Sequence, residues 1–141
     1  MKSEYGLRAM MELALAYGGR PLQTADIAAR RAIPESYLEQ LLTTLRKAGF
    51  VSSVRGPQGG HTLAVHPSTI TAGDVVRALE GPVVVVDAME GTTAGQSTSP
   101  TVLRELWGRV RTAIDSALDG VTVEELAARQ AAEEGSINYS I

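Results

Sequence analysis

A mainly α fold with one small β-hairpin is what this 141-residue sequence predicts. Three observations carry the prediction. Apolar residues recur at i, i+3, i+4 and i+7 in several separate stretches, as expected of helices packed by one face. Only two short β-prone runs, FVSSVR (50–55) and HTLAV (61–65), interrupt that pattern, and the turn-rich GPQGG joins them. Beyond the hairpin, a further amphipathic stretch over 101–118 is long enough for five helical turns.

The first helix is predicted over 3–17, with Leu7, Met10, Met11 and Ala14 as its apolar face, and GGRP (18–21) stops it. A second, short helix starts at Thr24, whose hydroxyl can cap it, and runs through ADIAARR until Ile33 and Pro34 turn the chain. In the third, ESYLEQLLTTLRKAGF, Leu38, Leu41, Leu42 and Leu45 form the stripe. Gly49 sits where a left-handed terminator is wanted. After the hairpin, Thr71 and Asp74 make a capping-box pair for a helix ending at Gly81-Pro82. VVVV (83–86) is an apolar run of undecided type, and 90–100 is a Gly/Ser/Thr-rich loop. The long helix over 101–118 ends at Asp119-Gly120. Thr122 and Glu125 then form a second capping box for a short helix to about residue 134, followed by a frayed end.

Composition excludes several function classes. The chain has no cysteine, so disulfides, thiolate-held clusters and cysteine nucleophiles are ruled out. No stretch is apolar over a membrane-spanning length and no signal-peptide pattern opens the chain, so a soluble cytoplasmic protein with no membrane partner is expected. The formal net charge of −3 is unevenly spread. Residues 1–66 carry eight Lys/Arg against five acids (+3), and residues 67–141 carry five against eleven (−6). A basic contact surface joined to an acidic body would show this division, as would scattered surface charge.

Three helices followed by a hairpin are the plan of a winged helix-turn-helix head. Its physical basis is that the DNA major groove admits an α-helix packed by its opposite face. The free face of the third helix offers Ser36, Glu39, Gln40, Thr43 and Lys47. Gln40 can take an adenine bidentately, while Glu39 either accepts from a cytosine amino group or is a solvated carboxylate. At the wing tip, Arg55 is suited to a minor groove's negative potential. Gly56, Gly59 and Gly60 permit positive φ and close approach; an ordinary hairpin with a loose loop would also carry them. RGPQGG fits neither dinucleotide-binding nor P-loop spacing.

From Tyr5 to Gly81 the chain resembles the Rrf-two (Rrf2) family of bacterial transcription regulators, relatives of the iron–sulphur cluster regulator, the nitric-oxide-sensing repressor and the cysteine-metabolism repressor. YGLRAMMELA, SYLEQLLTTLRKAGFVSSVRGPQGGHTLA and ITAGDVVRALEGP carry the resemblance, and LRELWGRV and DGVTVEELA extend it. It implies three parts: a DNA-binding head (1–81), a loop matching the family's cluster region (82–100), and a dimerisation helix with a C-terminal helix (101–141). Ser36, Glu39 and Gln40 would read bases, with Tyr37 and Thr43 near the backbone and Arg55 in the minor groove. Thr24, Lys47 and the wing residues Gly56, Gly59, Gly60 and His61 complete the expected contact set; His61 stands where the family usually has tyrosine. Leu103, Leu106, Trp107, Val110, Ile114 and Leu118 would form the seam of a homodimer on a palindromic operator. Cluster-binding members carry three cysteines between the positions of Gly81 and Trp107. Here Ala88 and Ser99 fall at or near such places, so no cofactor is expected. The chain is then either a natural cluster-free member or one whose cysteines have been replaced. His61 and His66 alone make a weak metal site.

The function expected is therefore a sequence-specific DNA-binding transcriptional regulator, read as a repressor. A small-molecule or protein effector would be received by the loop over 91–100 or by a pocket between head and long helix. The alternative is a winged-helix interaction module that has lost DNA binding. An enzyme is disfavoured because no nucleophile–base pair, carboxylate pair or cofactor loop stands at recognisable spacing.

Overall fold

Helix-forming stretches of the sequence fold into the expected order in a computed structural model that describes residues 2–81 and 100–139, with side chains to residue 135. Helices α1 (Lys2–Leu15), α2 (Thr24–Arg31) and α3 (Glu35–Lys47) precede strands β1 (Val51–Val54) and β2 (Gly60–Leu63). A one-turn 3-10 helix (Pro67–Thr69) leads to α4 (Ala72–Glu80), α5 (Thr101–Asp119) and α6 (Val123–Tyr139). VVVV (83–86), Ala88, Ser99, most of the 90–100 loop and the final two residues lie outside the described residues.

Leu38, Leu41, Leu42 and Leu45 are all buried, so the stripe read from α3 is the stripe that packs. Each contributes about 1.5–3 kcal/mol by burial alone. They meet Met10 and Leu13 of α1, Ile27 of α2, Val51 and Leu63 of the hairpin, and Val75 and Leu79 of α4. α1 is rotated from its expected face: Gly6, Ala9, Met10 and Leu13 are buried, while Leu7, Met11 and Ala14 are half-buried. The cause is close approach to α4. A Cβ at position 6 would meet the tip of the Leu79 side chain, which would have to shift to admit it.

Antiparallel pairing runs from Val51↔Leu63 to Val54↔Gly60, which leaves residues 55–59 as the wing loop. Both carboxy-terminal connections are capped. The Thr71 hydroxyl accepts from Asp74 N–H at 3.0 Å and the Asp74 carboxylate accepts from Thr71 N–H at 2.9 Å, the reciprocal box that the sequence predicted. Thr122 accepts from Glu125 N–H at 3.0 Å.

Two expectations are corrected. Thr24 does not cap α2: Gln23 occupies the cap position without a side-chain hydrogen bond, and Thr24 is already helical. Nor is the last helix short. It runs 17 residues to Tyr139 and packs along α1 and the 3-10 turn, burying Val123 and Ala127. Its apolar surface is mostly alanine, which gives little periodic signal, and tertiary contact sustains it.

Candidate nucleic-acid interface

The 3.6-residue period that buries four leucines of α3 turns Ser36, Glu39, Gln40 and Lys47 to solvent on the opposite face. Thr43 lies on that face but is half-buried, its hydroxyl donating to the Glu39 carbonyl at 2.9 Å. Tyr37 is at the margin, half-buried, its ring edge-on to Tyr5 with centroids 5.7 Å apart. Pro34 and Glu35 open the helix, Arg46 and Lys47 close it in keeping with its dipole, and Gly49 takes φ 90° beyond it.

The wing stands beside this face. Arg55 is exposed at its tip, next to Gly56, whose φ of 103° bends the loop. Gly59 and Gly60 have an internal reason to be glycine. A Cβ at Gly59 would strike the Val54 carbonyl, and one at Gly60 the backbone of Leu22. Gly59 is buried, so the close approach there is of the hairpin to itself.

A chain of polar contacts fixes the wing to the helices. Arg46 Nη1 donates to Ser53 Oγ at 3.1 Å, and Ser53 Oγ lies 3.2 Å from His61 Nδ1. His61 Nε2 lies 3.0 Å from the Thr24 hydroxyl. Arginine only donates, so the neutral ring that suits this order accepts from Ser53 at Nδ1 and donates from Nε2 to Thr24. Burial first, and the Arg46 charge second, hold the His61 pKa below its usual value, with Glu39 opposing them. Leu22 and His61 exchange backbone hydrogen bonds at 2.9 and 2.8 Å, and Gln23 Nε2 donates to the Gly59 carbonyl at 2.6 Å. Of the expected contact residues, Thr24 and His61 are thus joined to each other, both half-buried. Arg46, Ser53 and Gln23 were missed. Only Arg46, basic in the last turn of α3 and adjacent to Lys47, left any trace in the sequence.

α5 leaves the head and buries none of its residues. Leu103 and Leu106 are 42% and 43% exposed, and Val102 is 74% exposed. Trp107, Val110, Ile114 and Leu118 are half-buried. Its end is held to α4 by Arg77, which bonds Asp119 at 2.6 Å and lies 3.7 Å from Asp115. Gly73 allows this approach, since a Cβ there would meet Asp119.

A polar, exposed face on α3, an arginine-tipped hairpin fixed beside it, and a further helix with an apolar stripe define a winged helix-turn-helix DNA-binding protein. The Rrf2 family profile, described as an iron-dependent transcriptional regulator, matches residues 1–129, and the chain belongs to that family. It is a transcriptional regulator that binds DNA, not an enzyme. The HTH-type transcriptional regulator CymR of Bacillus subtilis is 41% identical over 140 residues, covering 99% of this chain and 96% of that one. The regulator IscR of Aliivibrio salmonicida is 40% identical over 127 residues, covering 89% and 74%. The solved structure of CymR, the global cysteine regulator of B. subtilis, superposes with a TM-score of 0.77 over 92% of this chain and 95% of that one.

The family description names iron, and the donor set here does not fit an iron–sulphur cluster. The chain has no cysteine to supply thiolates. Among the described residues no group of three or more His, Asp or Glu side chains is placed to hold a metal ion. His61 is engaged as above, and His66 Nδ1 lies 2.7 Å from the Ser68 hydroxyl. Nor is any helix among the described residues long and apolar enough to cross a membrane.

Proposed function

We propose that this regulator binds a palindromic operator as a homodimer, represses transcription from the cytoplasm, and does so without a cluster. The observation that carries the reading is the exposed face of α3 standing beside Arg55, with the leucines beneath it fully committed to the core. Ser36, Glu39 and Gln40 read base edges in the major groove, while Lys47 and Thr43 meet phosphates with Tyr37 at the margin. Arg55 enters the minor groove, with Gly56 leaving space around it. Gly59, Gly60, His61 and Thr24 act on DNA mainly by setting the wing's angle.

Leu103, Leu106, Trp107, Val110, Ile114 and Leu118 supply the dimer seam. An amphipathic helix with no buried residue in its own subunit gains most from a second copy. Two heads related by a two-fold then meet half-sites about one helical turn apart. The functional division is a head (1–81), a connecting region (82–100) and an assembly part (101–141), with an effector acting on their coupling.

Base and phosphate contacts are separable by experiment. Arg55→Ala should weaken binding to an in-vitro-selected duplex by about 1–3 kcal/mol and relax preference at one base step. Lys47→Ala should weaken selected and random duplexes alike and reduce the log–log salt slope by about one. Measured by fluorescence anisotropy, unchanged affinity in both variants would contradict the assigned interface. A chain that binds no duplex would leave an interaction module.

A further inference from the structure

Where α1, α2 and α6 converge, the fold leaves a cavity of about 420 Å3, within the range of small-molecule sites. Leu15 and Leu22 form its apolar side, and Glu12, Arg30, Arg31 and Glu134 its polar side. Leu15 is 46% exposed at the rim, an uncovered aliphatic surface directly beside two guanidinium groups.

The four charges are not equivalent. Glu12 is buried at 4% exposure and is permanently committed, its Oε1 accepting from Arg31 Nε at 2.6 Å. Arg30 is largely exposed and reaches Glu12 only at 3.5 Å. Arg31 is half-buried, its side chain 14% exposed, and its second contact, Nη1 to Glu134 at 2.9 Å, goes to a side chain that is itself nearly half-exposed. Exchange of Glu134 for another carboxylate therefore exposes no buried charge, whereas loss of Glu12 would. With Glu134 swung out, two arginines face one glutamate and the cavity carries a net positive charge.

We propose that this cavity binds a small carboxylate with a short aliphatic body. Its carboxylate takes the place of Glu134 on Arg31 and draws in Arg30, whose planar fork suits that geometry. Its body lies on Leu15 and Leu22. Glu134 belongs to α6 and Arg31 ends α2, so occupancy uncouples the last helix from the reading head. Ala32, directly after Arg31, is the left-handed C-cap of α2 at φ 53°, its N–H donating to the Ala28 carbonyl, so a defined cap joins Arg31 to the turn before α3. Movement of Arg31 is thereby passed toward α3. Control of operator affinity by this ligand rests on the regulator reading above; the binding site itself does not.

The test uses the full chain and calorimetric titration with sodium hexanoate, with acetate and hexanamide as probes lacking the body and the charge. Hexanoate should bind saturably, and acetate and hexanamide at least about tenfold more weakly, the worth of one charge-assisted contact or a few methylenes. Arg31→Gln would strand buried Glu12 and unfold the site, so the informative variants are Glu134→Gln and Arg30→Gln. Glu134→Gln should tighten hexanoate binding, because no resident carboxylate remains to be displaced, and Arg30→Gln should loosen it. Absence of saturable binding, equal binding of hexanamide, or weaker binding by Glu134→Gln would overturn the proposal. Selected duplex added in a second arm separates the two claims. If duplex binds and hexanoate does not, the cavity assignment fails and the regulator stands; if hexanoate binds and no duplex does, the regulator reading fails and the cavity stands.

Discussion

His61 occupies a place where one ring decides how two elements meet. Its nitrogens lie 3.2 and 3.0 Å from hydroxyls on β1 and α2, and burial together with Arg46 disfavours its charged form. A histidine whose folded pKa is lowered stabilises the fold above its unfolded value and loses that contribution as pH falls. Stability should therefore fall as pH drops below about 6.5, and His61→Gln should flatten the profile between pH 7 and 5, read by thermal melting. Leu42→Ala should cost about 2–5 kcal/mol, measured by urea unfolding, because the site is closed on every side. The second residue was legible and the first only in part. Leu42 follows from spacing alone, whereas Thr24 lies 37 residues from His61, and nothing local distinguishes Ser53 from any other polar strand residue or Gln23 from an ordinary loop residue. The three wing glycines were legible as a turn. That two of them are demanded by backbone collisions emerges only in the folded head, where Gly59 closes on the hairpin's own backbone and Gly60 on that of Leu22.

Elements with a strong local signal were read with their bounds nearly right. α3 announces itself by four leucines and a terminal glycine, and α4 by the Thr71–Asp74 box. Thr71→Ala should cost about 1 kcal/mol, the usual worth of an N-cap hydroxyl. α6 was under-read because alanines pack without periodic contrast and its anchor, Glu134 to Arg31, joins residues 103 apart in the chain. α5 was read at nearly its full length. Its stripe is legible as amphipathic, but a single sequence does not distinguish a seam between subunits from a face covered by the same chain. Leu106→Glu should leave the melting of the head nearly unchanged, since no α5 residue is buried in the subunit, while lowering the apparent mass in light scattering toward that of one chain. A dimer that persists in this variant would place the seam elsewhere.

For the molecule as a whole, two ion clusters hold the carboxy-terminal helices to the head. A hydrogen bond from Arg77 keeps the Asp119 pKa low, and bonds from Gln130 first and Arg31 second do the same for Glu134. Lowered carboxylate values mean stability present above the ordinary carboxylate range and lost as pH falls below it toward the lowered folded values. Both α5 and α6 should thus loosen together below about pH 4, visible as a loss of protection in hydrogen exchange while α3 persists. The charge asymmetry legible in the sequence is consistent with this arrangement, the basic excess lying in residues 1–66 and the acidic excess in residues 67–141. What ties these parts into a regulator is the claim that α3 and the wing read DNA twice over. The most direct measurement is equilibrium binding, with stoichiometry, to a selected palindrome and a scrambled duplex across a salt series. Two chains per palindrome, a preference of about a thousandfold or more, and a steep loss of affinity with salt are predicted. One chain per site, equal affinity for both duplexes, or indifference to salt would contradict the account.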